Sequence, residues 1–243
     1  MTAVYIANEG IKYRQKSMEM SLQNLANGST RGYLADVPQA TTTPIVGEGY
    51  PTQFPVVLKN VLVDMTAGAL EKTGRDLDIA VENDGLIALQ GDKGEGEVYT
   101  KNGHMQRASN GQLTIKGWPV VGEGGAIFLP ERYESLVVTS NGTITVTVNR
   151  NLENIGRIKL VDIPKAQLRT LHKNDNGLLV AESRSLPRSE NIRVVQGYLA
   201  NSNVSPIQET MAVTSAKNDS AVMTNVMKSV FEMDQMGNKV LEN

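Results

Sequence analysis

The two ends of this chain repeat apolar residues at helical spacing, and its middle does not. From Val4 an apolar residue returns every seventh place, at Ile11, Met18 and Leu25. From Val204 a second stripe runs through Ile207, Met211, Val222, Val226, Val230, Met233 and Val240. Both patterns predict long amphipathic helices, one at each terminus. Such helices need their apolar faces covered, so the two pack on each other or on other copies of the chain. The layout points to a building block rather than an enzyme.

Local signals bound both helices. Gly28, after Asn27, stands where a left-handed C-terminal cap is wanted, so the spacing predicts a helix from Ala3 to Ala26, about 36 Å long. Asn8 and Gln15 fall on its companion core positions, where polar residues fix register. Ser205-Pro206-Ile207-Gln208 reads as a capping box with proline at the first helical position. A helix running on to Leu241 would span about 54 Å. Polar residues from Thr214 to Ser220 interrupt its stripe, and the long step from Met211 to Val222 predicts an offset in the seam. Eight methionines (1, 18, 20, 211, 223, 227, 233 and 236) lie in these ends and only Met65 and Met105 between them, which suits surfaces that adapt to neighbours.

The middle alternates apolar and polar residues and is punctuated by Asn-Gly turns. Leu77, Ile79 and Val81, then Glu82-Asn83-Asp84-Gly85, then Leu86 to Gln90 predict a hairpin. Asn102-Gly103, Asn110-Gly111 and Asn141-Gly142 predict tight turns beside strands at Val98-Tyr99, Leu113 to Ile115 and Ile144 to Val148, with a further strand from Arg157 to Ile163. Prolines 44, 51 and 55 with Gly47 and Gly49 predict an extended excursion from Thr41 to Pro55.

Composition removes several classes. A chain of 243 residues can bury a real core. Its formal net charge is −2 with both signs mixed along the length, so no basic face is offered to nucleic acid or to a membrane surface. No apolar run reaches the roughly 20 residues that span a bilayer, so direct membrane insertion is not expected. The N-terminus lacks the pattern of a Sec signal. Cysteine is absent, which removes disulfides and thiolate metal sites.

Chemistry-bearing residues are few. His104 and His172, with Asp76, Asp78, Asp84 and Asp175 near them in sequence, are the strongest ingredients, but two histidines with no cysteine cannot build a usual structural zinc site. The segment from Leu171 to Gly177 resembles a calcium loop only superficially, since His172 stands at the first ligand position and Ser183 at the twelfth; a polar turn is the simpler reading. Gly91 to Gly96 is glycine-rich but acidic and lacks the ending of a phosphate loop, so it reads as a hairpin loop. No catalytic residue, metal or cofactor is expected.

The ends carry a resemblance. Asn24-Leu25-Ala26-Asn27 with Ser29-Thr30-Arg31-Gly32-Tyr33 resembles the signature that closes the N-terminal helix of bacterial flagellar rod and hook proteins. Gly197-Tyr198-Leu199 with Ser202-Asn203-Val204 and Glu209 resembles that family's C-terminal motif. Thr73 to Val81, Tyr99 to Gly103 and Gly117 to Pro130 look most like the proximal rod members. The match spans nearly the whole chain in order. Leu22 and Gln23 depart from the family's usual Ala-Asn, Ala200 replaces a usual glutamate, and the last helix lacks the usual Arg-x-Phe-Glu stretch, its Phe231-Glu232 coming later.

The resemblance implies an α+β fold. A discontinuous assembly domain (1–34 and 197–243) would pair its helices as in a coiled coil, an extended linker would occupy 35–69, and a β-rich outer domain 70–196. It implies a structural subunit of the flagellar rod, with a distal rod or hook subunit as the alternative. Other copies of the chain, other axial proteins and the flagellar type III export apparatus would be partners, in the periplasmic part of the basal body. The assembly interface would comprise Val4, Ile11, Met18, Leu22, Leu25, Asn27, Val204, Ile207, Met211, Val222, Val226, Val230, Met233 and Val240. Without the motifs, a glycan- or peptide-binding β module with helical oligomerisation arms would fit the same layout.

Overall fold

A computed structural model describes residues 2–42, 56–92, 96–164 and 167–241, without the side chains of 2–4, 234, 235 and 237–241. Two helices, α1 (Thr2–Ala26) and α2 (Pro206–Leu241), enclose a sequence of short strands, and the fold is α+β. The chain divides into two compact units: Met1–Ala26, Asp36–Val61 and Ser205–Asn243 form one, Asn27–Ala35 and Leu62–Val204 the other. Among the described residues, no helix is long and apolar enough to cross a membrane.

In the helical unit, α1 and α2 accompany the strand Asp36–Thr42, which pairs with the strand Val56–Val63. The predicted excursion from Thr41 to Pro55 lies, from residue 43 on, outside the described residues. α2 begins at Pro206 after Ser205, whose carbonyl accepts the first intrahelical bond, from Glu209 N–H at 3.0 Å. It runs unbroken through its polar stretch. There the hydroxyls of Thr210, Thr214, Ser220, Thr224 and Ser229 each donate to the carbonyl four residues back, which satisfies them without leaving the helix. α1 ends at Ala26 as expected, but Gly28 is not its left-handed cap. The chain turns through Asn27, Thr30 N–H donating to the Asn27 carbonyl at 3.0 Å, and Gly32 takes the positive φ of 67°. Gly32 is needed for close approach too, since a Cβ there would collide with the backbone of Asn102.

The β unit carries the hydrophobic core. A five-stranded antiparallel sheet runs in the order Leu160–Val161, Leu86–Gln90, Glu97–Thr100, Leu179–Val180, His172–Lys173. A meander of Ser135–Val138, Thr143–Val148 and Asn151–Arg157 follows the alternation in its sequence: Leu136, Val138, Ile144 and Val146 are buried and Ser135 and Val137 exposed. One free edge of this meander is occupied by a side chain. Gln196 accepts from Val138 N–H at 3.1 Å and donates to the carbonyls of Leu136 at 3.0 Å and Asp76 at 2.8 Å.

Tyr99 is fully buried, and burial pushes its phenol well above its ordinary range. Its oxygen accepts from Leu186 N–H at 2.8 Å and donates to Glu97 at 3.1 Å, and Glu97 is held by Lys159 at 2.7 Å.

The expected turns at Asn110-Gly111 and Asn141-Gly142 join paired strands; of the loop expected from Gly91 to Gly96, residues 93–95 lie outside the described residues, and Gly91 N–H donates to the Gly96 carbonyl at 2.9 Å beside the paired strands Leu86–Gln90 and Glu97–Thr100. Two expectations are corrected. Ile79–Val81 and Leu86–Gln90 are not hairpin partners: the first pairs with Val194–Gln196, the second with Glu97–Thr100 and Leu160–Val161. Leu86 to Leu89 are buried on both faces within the sheet, and although the turn before them is closed by Gly85 N–H donating to the Glu82 carbonyl at 3.3 Å, the two strands it joins part to different partners. The carbonyls of Asn83 and Gly85 in that turn accept instead from the buried ammonium of Lys101, whose pKa burial lowers. The run expected as one strand from Arg157 to Ile163 is broken, the meander ending at Arg157 and a separate short strand taking Leu160–Val161.

Candidate assembly face

Three contacts set the register of the helix pair. Asn24 meets Glu209 at 2.8 Å, Arg14 meets Asp219 at 3.3 Å, and a Cβ on Gly10 would stand 3.1 Å from the Met223 sulfur. Each step back along α1 is matched by an equal step forward along α2, so the helices run antiparallel. The less exposed residues of α1 include Ile6, Gly10, Tyr13, Ser17, Met20 and Asn24; those of α2 include Glu209, Val213, Ala216, Ser220, Met223, Met227 and Val230. Alternating steps of four and three keep each line on one face. Each line includes small residues, Gly10 and Ser17 on one and Ala216 and Ser220 on the other. At this register Thr2 falls opposite Phe231, and residues 232–241 run past the end of α1 for about 15 Å.

Asn24 is the polar centre of this unit and is 2% exposed. Its amide nitrogen donates to the Asp36 carbonyl at 2.9 Å and to Glu209 at 2.8 Å, while its oxygen accepts from Asp36 N–H at 2.9 Å. One side chain thus joins α1 to a strand as a strand neighbour would, and to the first turn of α2. Glu209 also suits that turn because its charge opposes the helix dipole.

In the β unit, Asn203 plays a comparable part. Its oxygen accepts from Ala35 N–H at 2.7 Å, its nitrogen donates to the carbonyls of Asp64 at 3.0 Å and Thr66 at 3.1 Å, and its backbone N–H donates to Tyr33 at 3.3 Å. Asn24 and Asn203 come from the two terminal motifs, whose residues are therefore occupied in holding chain segments together.

The predicted interface residues divide sharply. Ile11, Met18 and Leu25 are half-buried along the flank of α1, Asn27 is half-buried in the turn after it, and Leu22 is exposed. Val204 is buried with Tyr33 and Ala35 in the β unit. Ile207, Met211, Val222, Val226 and Met233 are exposed on α2, and Val230 is half-buried on its inner line. Val4 and Val240 lie outside the described side chains. Phe231 and Met236 join the exposed group, and sequence reading missed them. The described helical unit fully buries only two apolar residues, Met20 and Ala216, whereas all but four of the exposed large apolar residues among those described belong to it.

The histidines sit in the other unit. His104 Nδ1 is 2.8 Å from the buried carboxylate of Asp78, its Nε2 faces the Gln106 amide at 3.1 Å, and the Arg75 guanidinium lies against the ring. His172 is exposed, with Nδ1 3.2 Å from the Thr170 carbonyl. Asn174 organises the turn that resembled a calcium loop, its oxygen accepting from the N–H groups of Asn176 and Leu178 at 3.1 and 3.0 Å. Among the described residues no group of three or more acidic, histidine or cysteine side chains could hold a metal.

Residues 80–146 match the family described as the flagellar hook protein FlgE/F/G D1 domain. Over the whole length, the chain is 33% identical to the flagellar basal-body rod protein FlgF of Salmonella typhimurium and 32% identical to that of Escherichia coli, with 98% of each chain covered in both cases. It is 24% identical to the flagellar basal-body rod protein FlgG of Agrobacterium fabrum, over 100% of both chains.

Proposed function

Because the chain belongs to the flagellar basal-body rod protein family, and is a FlgF-like structural subunit of that rod, we propose that its terminal helices form the assembly element. The observation that carries this reading is the imbalance in the helical unit. It exposes Ile207 at 75%, Met211 at 68%, Val222 at 62% and Met233 at 67%, while fully burying only two apolar residues among those described. A soluble subunit gains nothing from such a surface, and neighbouring copies or other axial proteins would cover it.

In this proposal residues 1–34 and 197–243 act as one coiled-coil-like assembly domain, 35–69 link it to the rest, and 70–196 form an outer β layer. Val4, Ile11, Met18, Leu22, Leu25, Asn27, Val204, Ile207, Met211, Val222, Val226, Val230, Met233 and Val240 contribute to the contacts. The repeated contacts transmit motor torque, most simply at the proximal rod. Export by the flagellar type III apparatus delivers the chain to the periplasm.

Deleting residues 232–243 tests the proposal, since at the observed register Phe231 stands opposite Thr2 and the deletion removes the part of α2 that runs on beyond it. The truncated subunit should be exported and folded yet absent from isolated basal bodies, leaving cells non-motile. Truncated subunits incorporated at normal abundance would overturn it.

A further inference from the structure

Residues 32–35 form no strand ladder, yet Tyr33, Leu34 and Ala35 are only 8%, 3% and 8% exposed. Buried backbone outside regular structure must find partners one by one. Gly32 N–H donates to the Ala200 carbonyl at 2.8 Å, the Tyr33 carbonyl accepts from Asn203 N–H, Ala35 N–H donates to the Asn203 side chain, and the Ala35 carbonyl accepts from Asp64 N–H at 2.8 Å. The Leu34 carbonyl accepts from an ammonium: Lys173 Nζ donates to it at 2.5 Å. The same ammonium lies 3.9 Å from the centre of the Tyr33 ring, well inside cation–π range.

Lys173 ends the strand His172–Lys173, the outermost of the five-stranded sheet, and reaches the segment from a hairpin distant in sequence. One charge thus serves two adjacent residues by two different interactions. We propose that residues 32–35 are a strap that opens and closes separately from the β core, and that Lys173 is its latch. Leu34 packs with Val63, Met65 and Leu86 and gives the strap its apolar seat, but this contact has no directional preference. The ammonium specifies where the Tyr33 ring and the Leu34 carbonyl come to rest. Closure therefore depends on a cation at position 173 and not merely on the aliphatic stem.

Hydrogen exchange on the isolated full-length chain tests this, comparing wild type with Lys173→Met, which keeps a long apolar side chain, and Lys173→Arg, which keeps a donor and a cation able to lie on the ring. Lys173→Met should speed exchange of the Gly32 and Ala35 amides about tenfold or more, with the amides of 86–90 unchanged. Lys173→Arg should restore protection to within about threefold of wild type. Tryptic cleavage after the exposed Arg31 should rise and fall with the same series.

Three results would overturn the latch. Gly32 and Ala35 exchange within about twofold of wild type in Lys173→Met would mean that apolar packing alone closes the segment. An equal rise at 86–90, or loss of the fold, would mean that Lys173 supports the whole unit. Failure of Lys173→Arg to protect would mean that charge is not the cause. The assay needs no rod, so its outcome is independent of the assembly proposal.

Discussion

Replacing Val222 and Val226 together by aspartate should abolish incorporation into the rod while leaving the subunit folded. In the subunit these side chains are still 62% and 53% exposed. Fully burying a valine contributes about 1.5–3 kcal/mol, so covering the remaining exposed part contributes roughly 1–1.5 kcal/mol at each, or about 2–3 kcal/mol for the pair. Losing that alone weakens a contact roughly 30- to 150-fold. Aspartate adds the desolvation of two carboxylates, several kcal/mol more if the contact excludes water. Within the free subunit both sites face solvent, where a substitution changes stability by about 0.5 kcal/mol or less.

Urea unfolding of the purified chain and quantification of the subunit in isolated basal bodies separate the two effects. Ala216→Asp is the control, because Ala216 is 4% exposed on the inner line and its replacement should fail in both assays. Normal incorporation of the double variant would show that this face of α2 is not an assembly surface. A loss of more than about 1 kcal/mol in the isolated chain would show that the face is already used within the subunit.

Asn24→Ala should destabilise the helical unit by about 2–4 kcal/mol, since it leaves the N–H and carbonyl of the buried Asp36 without that partner; faster hydrogen exchange at the Asp36 amide would report it. Tyr99→Phe should cost about 1–2 kcal/mol through the orphaned Leu186 N–H and should also change the alkaline limb of stability. Because the folded-state pKa of Tyr99 is raised, its contribution is intact below its ordinary value of 10.0 and is lost as pH rises through and beyond it, a loss the phenylalanine variant lacks. Lys101 acts in the opposite sense: its lowered pKa lets stability grow as pH rises toward 10.5. Urea midpoints measured from about pH 8 to 11 check both signs, and an alkaline loss unchanged in Tyr99→Phe would refute the assignment to Tyr99.

Periodicity located both helices, and the cap at Ser205 placed the start of α2, because these signals are local. It also selected the most apolar stripe of α2, and in the subunit that stripe faces outward. The inner line of α2 mixes Ala216 and Ser220 with Val213, Met223, Met227 and Val230, and Met223 lies against Gly10, so hydrophobicity alone does not rank this line above the outer one. The small residues Gly10, Ser17, Ala216 and Ser220 on those lines were the usable signal. The turns at Asn110-Gly111 and Asn141-Gly142 were legible because a single dipeptide demands the geometry. The partner of Ile79–Val81 was not, since Val194–Gln196 is more than a hundred residues away and nothing near the Glu82–Gly85 turn announces that its two strands part company. The Asn24–Glu209 contact was equally remote. Sequence marked both residues only through their motifs, without indicating that they meet.

A protein that must polymerise through one surface has to be inert on its others. The edge of the Ser135–Val138 strand offers backbone groups to which an extended chain could add, and Gln196, whose own backbone is paired with Ile79, fills part of that edge with its side-chain amide instead of a strand. Growth by strand addition is thereby blocked at this edge of the meander. Subunits crowded together before they reach their place can then meet through their helices without this edge recruiting strands from one another.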